Sequence, residues 1–383
     1  MRSCEDRIYL DNAATTAVYE EVFDAMRPYF CGVYGNPSSQ HAFGRSAAEA
    51  VTRSRDKMAV ALNIYPDELY FTGCGTEADN LGIKGIALAN ADRGRHVAVS
   101  AIEHPAVLNS AAYLAANGFK VDYIFPDSRG VVTAQAVKKV MRGDTVLVAV
   151  MSANNETGVI QPVGEIYDVV RSGGALLWCD CVQSAGVLPM SMFPCDGFAL
   201  SAHKFGGPKG VGAACIKRGV RFAAQMSGGH QERGMRGGTL NVPGIVGMAR
   251  ALELSIERSA ACASGVAALR DEFESLVLGG IEGASLNGGA DRLAGHSNIS
   301  FSGCDGQNIV MLLDMRGVAA SAGAACAAGA SSPSHVIKAM GADEGRVRSA
   351  VRFSFGAGNT RDDVTAAYAA LKEVVAAIRR ANR

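Results

Sequence analysis

Short apolar runs recur along the middle of the chain, each closed by polar or glycine-rich positions, with stretches of helical periodicity between them. The runs predict strands over 68–72, 96–100, 145–151, 175–180, 197–200 and 211–216, and the periodic stretches predict helices over 45–62 and 81–88. Strand and helix signals alternate from about residue 45 to 260, with no long low-complexity linker or internal repeat, which is the pattern of an α/β sheet flanked by helices. Beyond 260 the pattern predicts a helix over 265–278, strands over 297–301 and 349–355, intervening helices and a closing helix over 361–380. We expect a large α/β domain over 16–259 with a mostly parallel mixed sheet, and a smaller α+β domain made from 1–15 and 260–383.

The composition narrows the classes of function. The chain has 383 residues, 48% of them hydrophobic, enough for a large core. Lys+Arg and Asp+Glu are both 37, so no net field points to nucleic acid or an anionic membrane as partner. No apolar run reaches membrane-spanning length, and residues 1–7 lack the apolar centre of a signal peptide, so the expected location is cytoplasmic. The 10 cysteines are scattered, several in strand-like runs where a thiol behaves as a small hydrophobe. Cys179 and Cys181 flank Asp180, but no second Cys/His pair has the spacing of a closed zinc site.

The chemistry gathers where strands end. In open α/β sheets ligands collect beyond the carboxyl ends of the strands, and these ends carry Glu103-His104, Asn154-Asn155-Glu156, Asp180 with Gln183, and Ser201-Ala202-His203-Lys204. Lys204 reads either as a loop lysine or as a partly desolvated amine able to attack carbonyls. Gly73-Cys74-Gly75-Thr76 reads either as a tight turn with a helix cap or as a phosphate site of backbone N–H groups and the Thr76 hydroxyl. Asp180 reads as a structural carboxylate or as the counter-charge to a protonated pyridine nitrogen, and His104 as a core histidine or one lying over a planar cofactor. Ser201 and His203 can donate to the same phosphate.

The motifs Asp11-Asn12-Ala13-Ala14-Thr15-Thr16, Gly35-Asn36-Pro37-Ser38-Ser39, Gly75-Thr76-Glu77-Ala78-Asp79-Asn80, Glu103-His104, Asn154-Asn155-Glu156-Thr157-Gly158, Asp180-Cys181-Val182-Gln183-Ser184, Ser201-Ala202-His203-Lys204, Gly234-Met235-Arg236-Gly237-Gly238-Thr239 and Arg352-Phe353-Ser354-Phe355-Gly356 follow one another in the order of the cysteine desulfurases. The chain resembles that family, with its class V aminotransferase-like fold type I of pyridoxal-phosphate-dependent transferases, from about residue 8 to 372. The resemblance implies pyridoxal 5'-phosphate as cofactor, with Lys204 forming its Schiff base, His104 stacking on the ring, Asp180 at the ring nitrogen and Gln183 at the ring hydroxyl, and with Lys204 or His104 moving protons at the substrate α-carbon. It implies Gly75, Thr76, Ser201 and His203 at the phosphate, and Thr239 at the phosphate of a neighbouring subunit in a homodimer with shared active sites. Asn155 and Arg352 would hold the substrate L-cysteine, with Asn36 a further candidate.

The small-residue loop over 319–332 carries Cys326, which on pattern alone reads as a buried small residue in an alanine-rich helix or as part of a mobile loop. The resemblance is to the long-loop branch, and it makes Cys326 the residue that takes up substrate sulfur as a persulfide, leaving alanine. The sulfur would pass to an acceptor protein such as an iron–sulfur scaffold, with Cys326 also able to ligate a transient cluster; no resident metal is expected. Three other readings use the same residues differently: a selenocysteine lyase, an aminotransferase or β-lyase with no use for Cys326, and a non-catalytic homologue.

Overall fold

The computed structural model describes residues 7–289, 291–323 and 333–382. In chain order its strands are β1 (Ile8–Tyr9), β2 (Leu69–Thr72), β3 (His96–Ser100), β4 (Lys120–Ile124), β5 (Thr145–Ala149), β6 (Leu176–Asp180), β7 (Gly197–Ser201), β8 (Gly212–Ile216), β9 (Ala284–Leu286), β10 (His296–Phe301), β11 (Val318–Ala319) and β12 (Ala350–Ser354). Seven of them form one sheet in the order β2-β8-β7-β6-β5-β3-β4. Its pairings are parallel except for β8, which runs antiparallel to both β2 and β7. The carboxyl ends of β2, β3, β5, β6 and β7 therefore lie along one edge, which is where a parallel sheet places ligands.

Strand alternation sorts the core onto two faces. Leu177, Cys179, Phe198, Leu200 and Cys215 pack with the helices Ala42–Leu62 and Val242–Gly280, while Leu176, Trp178, Ala199 and Ala214 pack beneath the helices Gly75–Ala89 and Pro105–Ala116. Trp178 is fully buried on the second face. A Cβ at Gly82 would lie 2.1 Å from its ring and one at Gly197 would lie 2.8 Å away, so the indole occupies a slot that only two glycines leave open.

A second, three-stranded antiparallel sheet, β12-β10-β9, packs with the helices Gly306–Met315 and Arg361–Ala381 around Phe273, Phe301, Phe353 and Leu371. Leu10 joins this cluster, and the parallel pair of β1 with β11 ties the start of the described chain to it. The two cores are connected by one helix of 39 residues, Val242–Gly280, whose early residues Ile245, Met248 and Leu252 serve the large sheet and whose late residues Phe273 and Val277 serve the small one. The sequence pattern predicts only 265–278 of it. Pro243 lies in the first turn, where its missing N–H leaves no intrahelical bond unmade, and Asn241 caps that turn by accepting from Gly244 N at 3.1 Å.

The helix predicted over 81–88 begins instead at Gly75. Its polar first turns obscure the periodicity because their partners lie elsewhere in the fold: Glu77 pairs with Arg236 at 2.6 Å and Asp79 accepts from Trp178 Nε1 at 3.0 Å. The remaining predicted strands and the closing helix match the observed elements to within about two residues at each end.

Glu103, three residues past β3, is fully buried. Its Oε1 accepts the Met151 N–H at 2.8 Å, and Oε2 has no partner at hydrogen-bond distance among the described residues. Burial pushes its carboxyl up to about 8, with the charge of Asp180 adding to the shift. The folded chain thus holds a proton between pH 4.5 and about 8 that the unfolded chain releases, so this group makes stability fall as pH rises through that window.

Replacing Glu103 by Gln removes a slope of up to about 1.4 kcal/mol per pH unit. Urea unfolding at pH 5 and pH 8 should show wild type losing more stability than E103Q between the two, and equal losses would contradict the buried neutral acid. Gly82→Ala gains helix propensity of about 1 kcal/mol but drives a methyl into the Trp178 ring, so a net loss of about 1–3 kcal/mol is expected in the same assay; an unchanged or higher midpoint would contradict the packed slot.

Candidate active site

Beyond the strand ends lies a cavity of about 150 Å3 walled by Gly75, Thr76, Asp79, His104, Asn155, Asp180, Gln183, Ser201, His203, Lys204 and Arg352, together with Ala13 and Ala14. Ten of the residues singled out from the sequence are thus brought to one place. A larger cavity of about 450 Å3 lies beside it and shares Ala13, Gln183 and Lys204 in its wall, but the convergent ionisable groups belong to the smaller one.

The helix Gly75–Ala89 starts at the carboxyl end of β2 and presents its amino end to the cavity, where first-turn N–H groups have no intrahelical acceptor. Gly75 seats this end: a Cβ there would lie 2.9 Å from Val182 Cγ2 and 3.2 Å from Ser201 Cβ. Glu77 steadies the preceding turn by accepting from Gly73 N at 2.7 Å. Together with the Thr76 and Ser201 hydroxyls, this cradle has the donor chemistry of a phosphate site. His203 completes it. Burial, and next the charge of Lys204, push its imidazole down to about 4, and its Nδ1 lies 3.1 Å from the Thr15 hydroxyl. A neutral ring of this kind offers one N–H.

Asp180 ends β6 with its side chain on the face that carries Trp178 rather than the face of Cys179. Burial pushes its carboxyl up, whereas His104, the Val182 N–H at 2.9 Å and Lys204 pull it back. A cationic ring nitrogen facing it would act in the same sense as those neighbours, so the carboxylate fits that group. His104 caps the helix Pro105–Ala116 by accepting the Ala106 N–H at Nδ1, 3.1 Å, which leaves Nε2 as the protonated ring nitrogen.

Lys204 follows β7 in a single 3-10 turn and donates from Nζ to the carbonyl oxygens of Ala13 at 2.7 Å and Ala14 at 2.9 Å. Gln183 Nε2 donates to the same Ala13 oxygen at 3.1 Å. Thr16 fixes this crossing segment by donating from both backbone N and hydroxyl to His203 O, at 2.9 and 3.0 Å.

At the opposite wall Arg352, on β12, is buried with its guanidinium already oriented. Nη2 donates to Asp11 Oδ1 at 2.7 Å and Nη1 to Asn155 O at 2.8 Å, while Arg352 Nε and Asn155 Oδ1 have no hydrogen-bond partner among the described residues. An unmet donor and an unmet acceptor on one wall match a ligand that carries both a carboxylate and an amine. Sequence reasoning missed Asp11 as a site residue. Only its place at the head of an otherwise small and neutral motif could have marked it, and the Ser321 hydroxyl, donating to it at 2.9 Å, holds the same carboxylate.

The cavity wall does not include Asn36 or Thr239. Asn36 is exposed, and its Oδ1 accepts the Ser38 N–H at 2.9 Å within its own turn. Thr239 is also exposed. Cys326 lies outside the described residues, which stop at Gly323 and resume at Pro333. Of the two flanks, Ser321 exchanges backbone hydrogen bonds with Arg352 of the cavity wall, and the Ser334 hydroxyl donates at 2.5 Å to Glu156, the residue after Asn155. The eight cysteines among the described residues are free thiols, and burial pushes those of Cys179, Cys195 and Cys215 up. Among the described residues no helix is long and apolar enough to cross a membrane.

The chain is similar to known proteins along nearly its whole length. The family model Aminotransferase class-V matches residues 8–366. A protein of Methanosarcina thermophila named cysteine desulfurase IscS is 40% identical over 97% of this chain and 93% of its own length, and a cysteine desulfurase of Nostoc is 40% identical over 97% and 94%. Among solved structures, a NifS-like protein superposes with a TM-score of 0.90 at 37% identity, covering 97% of this chain and 99% of its own. SspA in complex with cysteine superposes with a TM-score of 0.80 at 31% identity, covering 92% and 100%. The expected fold type I is therefore the fold found, and the chain belongs to the class-V aminotransferase family, among its cysteine desulfurases.

Proposed function

We propose that the chain is a pyridoxal-phosphate-dependent cysteine desulfurase that converts L-cysteine to L-alanine and takes the sulfur onto Cys326. The observation that carries this reading is the convergence on one small cavity of a lysine, a buried carboxylate, an imidazole, a helix amino end and an arginine with an unmet donor. The full-length relatives named cysteine desulfurase, and the neighbour solved with cysteine, support it.

Gly75, Thr76, Ser201 and His203, which line the cavity with Asp180, Gln183 and His104, would hold the phosphate, while Asp180 would serve the ring nitrogen, Gln183 the ring hydroxyl and His104 the ring. When bound, pyridoxal phosphate supplies an electron sink for bond changes at the substrate's carbon atoms. Arg352 grips the substrate carboxylate with the N–H groups that Asp11 and Asn155 leave available, and Asn155 Oδ1 accepts from its amino group. Lys204 moves protons at the substrate α-carbon, with the Ala13 and Ala14 carbonyls steadying its charged form.

The Cys326 thiolate attacks the substrate sulfur. A sulfur–sulfur bond forms as the bond from sulfur to the β-carbon breaks; the β-carbon takes the electron pair and then a proton, giving alanine and a persulfide. Ser321, five positions before Cys326 in the sequence, exchanges backbone hydrogen bonds with Arg352, and this supports a role for Cys326 at the substrate end. The working unit is a homodimer in which the exposed Thr239 reaches the phosphate of the second copy, and the persulfide is discharged to an acceptor protein such as an iron–sulfur scaffold.

Replacing Cys326 by Ala should leave pyridoxal phosphate bound at wild-type stoichiometry while sulfide release falls by at least about 100-fold. Full sulfide release from C326A would overturn the assignment. Arg352→Lys loses the planar fork and should lower kcat/KM for cysteine by about 10- to 100-fold with the cofactor retained; an unchanged value would remove Arg352 from the substrate.

A further inference from the structure

Asp79 is not among the residues expected to contact cofactor or substrate, yet it is buried in the wall of the site. It sits one turn into the helix Gly75–Ala89, and with Gly75 and Gly82 it forms a single stripe facing the sheet. Each member of the stripe meets β6, β7 or the turn after β6. Gly75 lies against Val182 and Ser201, Asp79 Oδ1 accepts from Trp178 Nε1 at 3.0 Å, and Gly82 lies against the Trp178 ring. Trp178 in turn stands two residues before Asp180 on β6, with Gly197 of β7 opening the other side of its slot.

The hydrogen bond therefore joins the helix that begins at the phosphate cradle to the strand that ends in Asp180. Along this stripe Gly75 and Gly82 contribute no polar group, so the Asp79–Trp178 bond adds a directional link to the non-directional apolar packing of Ala78, Leu81 and Ile86 on the same face of the sheet. We propose that Asp79 is a positioning residue which, through the indole N–H of Trp178, sets the separation between the phosphate end and the Asp180 end of the cofactor site and thereby the affinity for pyridoxal phosphate.

The surroundings of Asp79 fit an uncharged acid in this role. Burial pushes its carboxyl well up, the neighbouring Asp180 adds to the shift, and Glu103 and Cys181 act in the same direction, against the single opposing contribution of Trp178. A neutral acid still offers a carbonyl oxygen to the indole while placing no second negative charge beside Asp180. Asparagine offers the same oxygen and the same lack of charge; leucine offers the volume alone. This inference rests on the cofactor reading above and adds a residue to it.

The test uses the chain's only tryptophan as reporter. Apoprotein is titrated with pyridoxal phosphate while Trp178 emission and the visible absorption of the bound cofactor are followed, for wild type, D79N and D79L. Wild type that takes up no pyridoxal phosphate would sink the cofactor reading itself, a result separable from any difference between variants. D79N is expected to bind within about two-fold of wild type, with the same Trp178 emission maximum and the same pH midpoint of the cofactor band. D79L is expected to bind about ten-fold more weakly, with a shifted emission maximum and a displaced midpoint. Should D79L fail to fold, W178F, which deletes the donor, is read by cofactor absorption alone, and the same ten-fold loss is expected. Wild-type affinity in D79L or W178F, or a loss in D79N as large as in D79L, would overturn the proposal.

Discussion

A carboxylate buried at the end of a central strand has to be compensated, and in this protein that carboxylate is Asp180. Burial opposes its charge, and the groups that sustain it, His104, Lys204 and the Val182 N–H, come from the end of β3, the end of β7 and the turn after β6. The parallel order β7-β6-β5-β3 brings these ends to one edge of the sheet. The same demand reaches further along the chain: Lys204 is steadied by the Ala13 and Ala14 carbonyls, and the segment that supplies them begins at Asp11, which is paired with Arg352. An ion pair and an amine held by two carbonyls thus stand at opposite ends of one short segment, the first at the small sheet and the second at the large one. Residues 11–14 connect the end expected to hold the cofactor with the end expected to hold the substrate.

Much of this was legible in the sequence, for a physical reason. Parallel strands buried on both faces read as unbroken apolar runs, so β3, β6 and β7 stand out, and their polar ends mark the edge where a ligand collects. Helix starts were harder. The first turns of Gly75–Ala89 are polar because Glu77 and Asp79 satisfy tertiary partners, and periodicity registers only what faces the core. The first half of Val242–Gly280 was hidden by its glycine and proline content, although packing on the large sheet overrides propensity there. Asp11 carries no local sign of its role, since its partner lies 341 positions away and no local pattern encodes that pair.

The cysteines show how position in the fold separates chemistry from packing. Cys179 and Cys181 flank Asp180 in sequence, but strand alternation sends them into the apolar layer on the other side of the sheet, where burial keeps Cys179 protonated. Cys74, by contrast, is exposed and lines the cavity at the helix amino end. Sequence adjacency to an active group therefore says little about a thiol, while two intervening bonds of strand geometry say a great deal.

Desulfuration is defined by what leaves the site when cysteine enters it. The most direct measurement is to load the protein with pyridoxal phosphate, add L-cysteine and a thiol reductant, and quantify alanine and sulfide in the same sample. Equimolar alanine and sulfide are expected, with neither formed by a Lys204→Ala variant. Sulfide accompanied by pyruvate and ammonia in place of alanine, or no turnover by the fully loaded protein, would contradict it.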